Sequence, residues 1–580
     1  MASLLFFLPP PPPPITLMSQ SKIPKPFHNH SWLFKNPIEK PGFGDKKWSI
    51  HADSSSFNLL NFADGLGLVE APAKLDILRH LLRHQTGDYS LECLSLIDAT
   101  QRLGIDYHFQ QEIQVVLQSL YVSSNHQQDT NLHYTSLLFR LLRQQGYPVS
   151  TESFTIFLDN KGKFNQGLTQ NVNGLMSLYE ASHLCMHGDD ILEEAETFST
   201  HGLNHCLAHL DHHMAPLVRN TLAHPHHKSV AKFMVPNYFG DIQSTNKWIH
   251  VLQDVAKVDF NRTQLLHQDE LVQFLKWWKE TGLAEELKFA RDEPIIWYIA
   301  SLVCLGDSCY SQQRLQLGKT ISFVFLIDDL FDVFGNLNEL TLFTEAVCRW
   351  DLGAAKTLPD CMGVCLKSLF EVTNDISSMI YKKHGWNPIG FLSRAWGKLC
   401  KAFLVETEWM SCGYSPSAEE YLRNGIVSTG IHVILVHVFF LLGQQISHQT
   451  AELLEDDLDI ISSTAIILRL CDDMGSAKHA FTRAQDEKQV GRDGSYAKYY
   501  MNEHPSISHE ATHHHVTNKI SQAWKTLNKE YLLSNLFPAK FTQASLNIAR
   551  AVPLAYNYGS NQSFMPLEKL IQQLLFRVYV

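Results

Sequence analysis

Ile321-Ser-Phe-Val-Phe-Leu-Ile-Asp328-Asp329-Leu-Phe-Asp332 decides how this chain is read. Six apolar residues and one serine run directly into three carboxylates. The surrounding segment Lys319–Phe334 has the length and apolar character of a helix packed around a central cavity. On a helix, Asp328 and Asp332 stand about 40° apart and roughly 6 Å along the axis, close enough for both to reach cations held between them. Magnesium takes one or two carboxylates and fills its other octahedral positions with water and substrate phosphate. The competing reading is a solvated acidic cap, but unpaired charges rarely end so apolar a run.

A second cluster reads Leu468-Arg469-Leu470-Cys471-Asp472-Asp473-Met474-Gly475-Ser476. Asp472 and Ser476, again four apart, offer a carboxylate and a hydroxyl to one ion, and Arg469 lies one turn earlier with a guanidinium suited to phosphate. Together the two clusters describe helices that face each other across a metal-bridged diphosphate.

Asp328-Asp329-Leu-Phe-Asp332 resembles the aspartate-rich motif of class I plant terpene synthases, and Asp472…Ser476 resembles the start of their second metal motif. Further likenesses are Leu287-Lys-Phe-Ala-Arg291-Asp292, Leu340-Thr-Leu-Phe-Thr-Glu-Ala, Tyr381-Lys-Lys-His-Gly-Trp-Asn-Pro, Leu96-Ile-Asp-Ala…Arg102-Leu-Gly-Ile-Asp and Phe139-Arg-Leu-Leu-Arg-Gln-Gln-Gly-Tyr. The resemblance implies an all-α fold of two helical domains, with the active-site cavity in a C-terminal α-bundle or barrel. It also implies three magnesium ions, or manganese in their place. Asp328, Asp329, Asp332, Asp472, Ser476 and Glu487 are the metal candidates, and Arg291 and Arg469 join Asp328, Asp332 and Asp472 on the prenyl diphosphate. Metals and arginines would neutralise the leaving diphosphate as the carbon–oxygen bond breaks. Trp297 and Phe325 offer ring faces to an allyl cation, although core packing accounts for both equally well.

Three departures from the family pattern sharpen the reading. No Arg-Arg pair occurs anywhere, which resembles the subfamily making the acyclic tertiary alcohols linalool, from geranyl diphosphate, and nerolidol, from farnesyl diphosphate. Glu293 stands where a second arginine is expected after Arg291. The third ligand of the second motif should fall at 480, which is alanine, while the fitting Asp486-Glu487 appears after an apparent insertion, 479–485. On a continuous helix Glu487 would lie about 10 Å beyond such a ligand, too far to share its ion.

The rest of the chain is compatible. Its 580 residues exceed one ordinary domain, and 45 % apolar against 18 % charged residues is a globular balance. A net charge of −11 disfavours nucleic acid. The 11 cysteines include no CxxC pair. Ile431–Leu442 is too short to span a membrane and carries His432 and His437, so it reads as a buried helix. A monomer is expected. Residues 1–50 read as a disordered tail or a plastid transit peptide: six prolines occupy 9–14, and no acid precedes Glu39. Plastid is preferred over cytosol, though arginine is absent until Arg79. The helical domains are placed at 51–235 and 236–580, divided within the polar stretch His224–Asn237. Expected helices include Ala73–Leu82, Leu91–Leu103, Leu132–Gln145, Met176–Ala195, Gly425–Gly443 and Leu453–Asp473.

Competing readings are a catalytically silent paralogue, disabled by the insertion and Glu293, and a chain-elongating prenyltransferase, which would need a second aspartate-rich motif. His509-Glu510-Ala-Thr-His513 fits the HExxH pattern of zinc peptidases, but polar flanks point to a solvated helix start. His205, His209 and His213 read as a histidine-rich surface, and the acids of Gly188-Asp189-Asp190-Ile-Leu-Glu193-Glu194 and Asp456-Asp457-Leu-Asp459 as exposed.

Overall fold

The computed structural model describes residues 71–84, 91–124, 130–241, 248–456, 458–483, 495–534, 536–555 and 567–577. The tail expected at 1–50 and the candidate ligand Glu487 lie outside them. Among the described residues there is no strand, only an isolated bridge between Leu158 and Phe164.

The N-terminal half contains α1 (Ala71–His84), α2 (Leu91–Arg102), α3 (Gln110–Ser124), α4 (Leu132–Gln144), α5 (Val172–Ser182), α6 (Asp190–Cys206), α7 (Met214–Ala223) and α8 (Ala231–Asp241). The expected helix Met176–Ala195 is broken into α5 and α6. Gly188 sits at φ +89°, and Arg143 from α4 pins the turn by ion-pairing Asp189 at 2.6 Å and donating to the Leu184 carbonyl at 3.1 Å. Asp189 is therefore paired and not exposed, while Glu193 and Glu194 pair with Lys525 and Lys163. The expected boundary at 235/236 falls inside α8, whose Phe233 and Met234 join the main core.

The second half contains α9 (Trp248–Thr281), α10 (Pro294–Cys304), α11 (Ser311–Asp329), α12 (Leu337–Arg349), α13 (Asp360–His384), α14 (Ile389–Cys412), α15 (Ala418–Ser428), α16 (Ile431–Leu442), α17 (His448–Leu453), α18 (Asp459–Arg483), α19 (Tyr496–Glu503), α20 (His509–Leu533), α21 (Ala539–Ala555) and α22 (Leu567–Phe576). Ala418–Leu442 has the length and hydropathy to cross a membrane, but 83 % of its most apolar 18-residue window is buried inside the protein. Gly430, at φ +75°, breaks the run into α15 and α16, where a single helix was expected. A Cβ on Gly430 would stand 2.5 Å from Val324 Cγ1 on α11, so the break lets the two helices approach closely.

The two halves are joined by buried polar contacts. Asn528 on α20 donates to the carbonyls of His183 (3.0 Å) and Cys185 (2.8 Å) and pairs with His227 at 2.8 Å. Arg550 on α21 donates to the His227 carbonyl at 2.7 Å.

Candidate active site

The aspartate run ends α11 as the pattern requires, but the last turn is not α-helical. Residues 330–334 form a π turn, closed by the Gly335 N–H bonding the Leu330 carbonyl at 3.1 Å. A regular α-helix would carry 3.6 residues per turn through Asp332. The wider turn re-aims that side chain, leaving Asp328 and Asp329 buried and Asp332 exposed.

Arg291, in the loop before α10, grips this helix end. Its Nη2 lies 2.5 Å from Asp328 Oδ2 and 2.8 Å from Asp329 Oδ1, and its Nε and backbone N–H both donate to Asp329 Oδ2, at 2.9 and 2.7 Å. Its guanidinium also lies 5.0 Å from the centre of the Phe325 ring. Burial opposes the charge on Arg291, yet the two aspartates more than offset it and push its pKa further up. Asp329 responds the other way. Burial raises its pKa, Arg291 only partly counters this, and the like charge of Asp328 adds to it. Three close contacts tie Asp329 to Arg291 and a fourth ties Asp328 to it. Both oxygens of Asp329 are thus engaged by Arg291, as is one oxygen of Asp328.

Glu293 supplies the N-cap backbone of α10, directly before Pro294, where a helix N-terminus tolerates negative charge. Its pKa is raised by burial and by Asp292, with Arg291 opposing.

The second cluster sits on α18. Arg469 is only 2 % exposed. Its Nη2 lies 3.2 Å from Ser428 Oγ, its Nη1 3.4 Å from Tyr421 Oη, and it pairs with Asp473 at 3.8 Å. Tyr421 donates to Asp473 Oδ1 at 3.0 Å, and the Tyr496 backbone N–H donates to Asp473 Oδ2 at 2.8 Å. Burial raises the Asp473 pKa to about 6, against the pull of Arg469 and these bonds. Helix α18 continues to Arg483, straight through Ala480, so no loop-out occurs before residue 483.

Glu406 on α14 connects the two clusters electrostatically. The Asp332 pKa is raised first by loss of water from the cleft walls, which act on it although the residue is exposed, and then by repulsion from Asp328 and Glu406. Glu406 repels Asp473 as well. The aspartate run and the second cluster therefore face a common buried carboxylate. Neither Glu406 nor Tyr421 and Ser428 stood out in the sequence, where each is an ordinary polar residue on an amphipathic helix.

Below the acids lies a small apolar pocket lined by residues including Ala300, Cys304, Val324, Phe325, Ile434 and Ala551. Val324 and Phe325 stand about one turn below Asp328. The Thr429 hydroxyl, also on the wall, donates to its own helix at the Ile426 carbonyl, 2.8 Å. Burial pushes the Cys304 thiol up to about 12, so it stays protonated and weakly nucleophilic. Trp297 is not on this wall. It packs edge-on to Trp278 at 4.9 Å and supports Phe325 from behind at 6.5 Å.

The donor set is one of hard oxygens. Among the described residues, no three His, Cys, Asp or Glu side chains gather closely enough to hold an ion unaided. That fits an ion taking one or two carboxylates and completing its sphere with phosphate and water. The decoys lie elsewhere. His509, Glu510 and His513 are exposed at the start of α20. His205 closes α6 and His213 precedes α7, so the chain turns between them.

Residues 68–222 match the family model for the terpene synthase N-terminal domain, and residues 279–526 match that for the terpene synthase metal binding domain. The chain is 46 % identical to an (E)-nerolidol synthase of Cannabis sativa, covering 86 % of this chain and 91 % of the relative. It is 43 % identical to a chloroplastic S-(+)-linalool synthase of Arabidopsis thaliana, over 82 % of this chain and 83 % of that one. It is 41 % identical to a chloroplastic tricyclene synthase of Antirrhinum majus, over 87 % and 86 %. Isoprene synthase from grey poplar leaves, solved with three magnesium ions and dimethylallyl-S-thiolodiphosphate, superposes with a TM-score of 0.82 at 32 % identity, covering 90 % of this chain and 98 % of that one.

Proposed function

Because the chain belongs to the plant terpene synthase family of metal-dependent enzymes acting on prenyl diphosphates, we propose that it ionises geranyl and/or farnesyl diphosphate and releases an acyclic tertiary alcohol, linalool and/or nerolidol. The observation that carries this is the pairing of two acidic clusters, linked through Glu406, above a cavity with an apolar wall. The missing tandem arginine and the likeness to nerolidol and linalool synthases support the acyclic product. The likeness to a tricyclene synthase makes cyclisation the alternative to test.

In this reading Asp328, Asp332, Asp472 and Ser476 would hold the divalent ions, three magnesiums as in the poplar neighbour. When bound, the ions supply Lewis acidity to the departing diphosphate. The chain's own residues do the rest. Asp329 fixes the Arg291 guanidinium at the mouth, where it can hold diphosphate oxygens while the carbon–oxygen bond lengthens. Phe325 presents its ring to the allyl cation below. The wall withholds nucleophiles, since the Thr429 hydroxyl is turned to its own backbone and Cys304 is protonated, so capture waits for water. Chloroplastic relatives support a plastid location, and in this reading residues 1–50 act as the transit segment ahead of two helical domains, 51–235 and 236–580.

Purified protein incubated with magnesium and each diphosphate, followed by chiral gas chromatography and mass spectrometry, tests the proposal. Linalool or nerolidol is expected, and predominantly cyclic products would refute it. A silent paralogue is the second reading, favoured by the uninterrupted helix through Ala480. Under that reading intact protein gives no product and deletion of 479–485 restores turnover.

A further inference from the structure

We propose that Glu406 is a positioning residue for the diphosphate side of the site, acting through Ser428 on Arg469. This rests on the functional reading above. Glu406, 5 % exposed on α14, accepts from the Ser428 hydroxyl at 2.8 Å and from the Asn424 side-chain amide at 3.2 Å, both on Oε1. Ser428 spends its proton on Glu406, so its oxygen meets the next group as an acceptor. That group is Arg469 Nη2, at 3.2 Å. Tyr421 makes the parallel link, accepting from Arg469 Nη1 at 3.4 Å and donating to Asp473 Oδ1 at 3.0 Å.

The two links have opposite ends in carboxylates, Glu406 and Asp473, with the guanidinium suspended between them. Helix spacing leaves no slack. A Cβ at Gly425 would stand 3.1 Å from Arg469 Nε and 3.3 Å from its Cγ, so the arginine stem lies flat against the glycine face of α15. The Ser428 hydroxyl also lies 3.4 Å from the Gly425 carbonyl, but the Glu406 oxygen at 2.8 Å is the closer acceptor. Glu406 lacks a donor, Ser428 has one, and the guanidinium has only donors. The arrangement sets the orientation of the Arg469 guanidinium, and Asp473 shares that frame with its neighbour Asp472, the candidate ligand. Ser428 also lies just before Thr429 and Gly430, where the helix breaks to form the cavity wall, so one buried chain of bonds sets both the anion end and the wall.

The test is calorimetric titration of inorganic pyrophosphate in excess magnesium, with thermal unfolding alongside. E406A and S428A should each weaken pyrophosphate affinity about tenfold, the scale of one lost hydrogen bond in a charge-assisted chain. The double variant should be no weaker than either single, because both cut one relay. E406Q keeps Oε1 as acceptor and should bind within about twofold of wild type. Additive losses, an E406Q as weak as E406A, or an S428A that binds normally would overturn the relay. Should E406A fail to fold, S428A against E406Q decides alone. Wild-type protein that binds no pyrophosphate would refute the functional reading itself, whereas binding wild type with indistinguishable variants refutes only the relay.

Discussion

Replacing Gly430 by alanine is expected to damage both stability and turnover. The new Cβ would stand 2.5 Å from Val324 Cγ1, roughly 1 Å inside ordinary contact. It would also occupy a backbone at φ +75°, where an L residue costs about 1–2 kcal/mol. Relieving the overlap by shifting α11 adds about 1–3 kcal/mol, the range for an overpacked core. A combined loss of about 2–5 kcal/mol, spread over a cooperative unit of about 350 residues at about 2.1 cal/mol/K each, lowers Tm by roughly 3–7 °C. Val324 lies one turn before Asp328, so the shift is felt at the acids as well. A displacement near 1 Å there costs up to about 10²-fold in kcat. Differential scanning calorimetry and steady-state turnover measure the two effects. Val324→Ala combined with Gly430→Ala should be less harmful than the sum of the single losses by about 1–3 kcal/mol, because the clash vanishes while the backbone penalty stays. A Gly430→Ala protein with unchanged Tm and kcat would show that the two helices do not touch at this point.

Asp328→Ala should lower kcat by at least about 10²-fold, the cost of removing one stabiliser of developing charge, whereas Asp329→Asn should chiefly raise KM by loosening Arg291; steady-state kinetics separate the two. Phe325→Leu should lower kcat about 5- to 30-fold with little change in KM, if a cation–π attraction of about 1–2 kcal/mol is lost only after ionisation. His183, His226 and His227 all have pKa values held below the ordinary 6.5 by burial first, then by Lys228 and His227, by Arg102 and Arg140, and by Arg550 respectively; for His227 the value is about 3. The unfolded chain binds the extra protons, so stability is complete above about pH 6.5 and falls with acid by about 1.4 kcal/mol per pH unit for each histidine, which a series of Tm values between pH 7 and 4 measures.

Local pattern carried the fold because nearly every element is an amphipathic helix whose apolar spacing is written in the segment itself. The breaks were harder. Gly188 and Gly430 both turn the chain inside apolar stretches, and what requires each turn comes from far away in sequence: Arg143 gripping Asp189 in one case, Val324 crowding the helix in the other. The acids of the site were legible for a related reason. Asp328 and Asp332 are close in sequence and end an apolar run, so charge out of place announces them. Their division of labour was not legible, because Asp329 looks like its neighbours until Arg291 is seen to take both of its oxygens. Glu406, Tyr421 and Ser428 carry no local signal at all. Each is one polar residue per turn, and only the packing of α14, α15 and α18 turns them into a network.

That network also resolves the oddity of an acidic chain with an anionic substrate. Asp328, Asp329, Asp332, Asp472, Asp473 and Glu406 bring six carboxylates toward one mouth, against the two guanidiniums of Arg291 and Arg469. Carboxylates outnumber guanidiniums by four before diphosphate arrives, and each further anion raises the cost of bringing the next. Burial first raises the pKa of Asp332 and Asp473, and repulsion from neighbouring carboxylates adds to it. Divalent cations reverse the sign of the problem. The excess that would repel diphosphate becomes the reason ions collect at the mouth, and the ions then attract what the protein alone would reject. Substrate and metal should accordingly bind with positive coupling, each tightening the other. Calorimetric titrations of pyrophosphate at rising magnesium should show its Kd falling steadily, and a Kd independent of magnesium would contradict this electrostatic account.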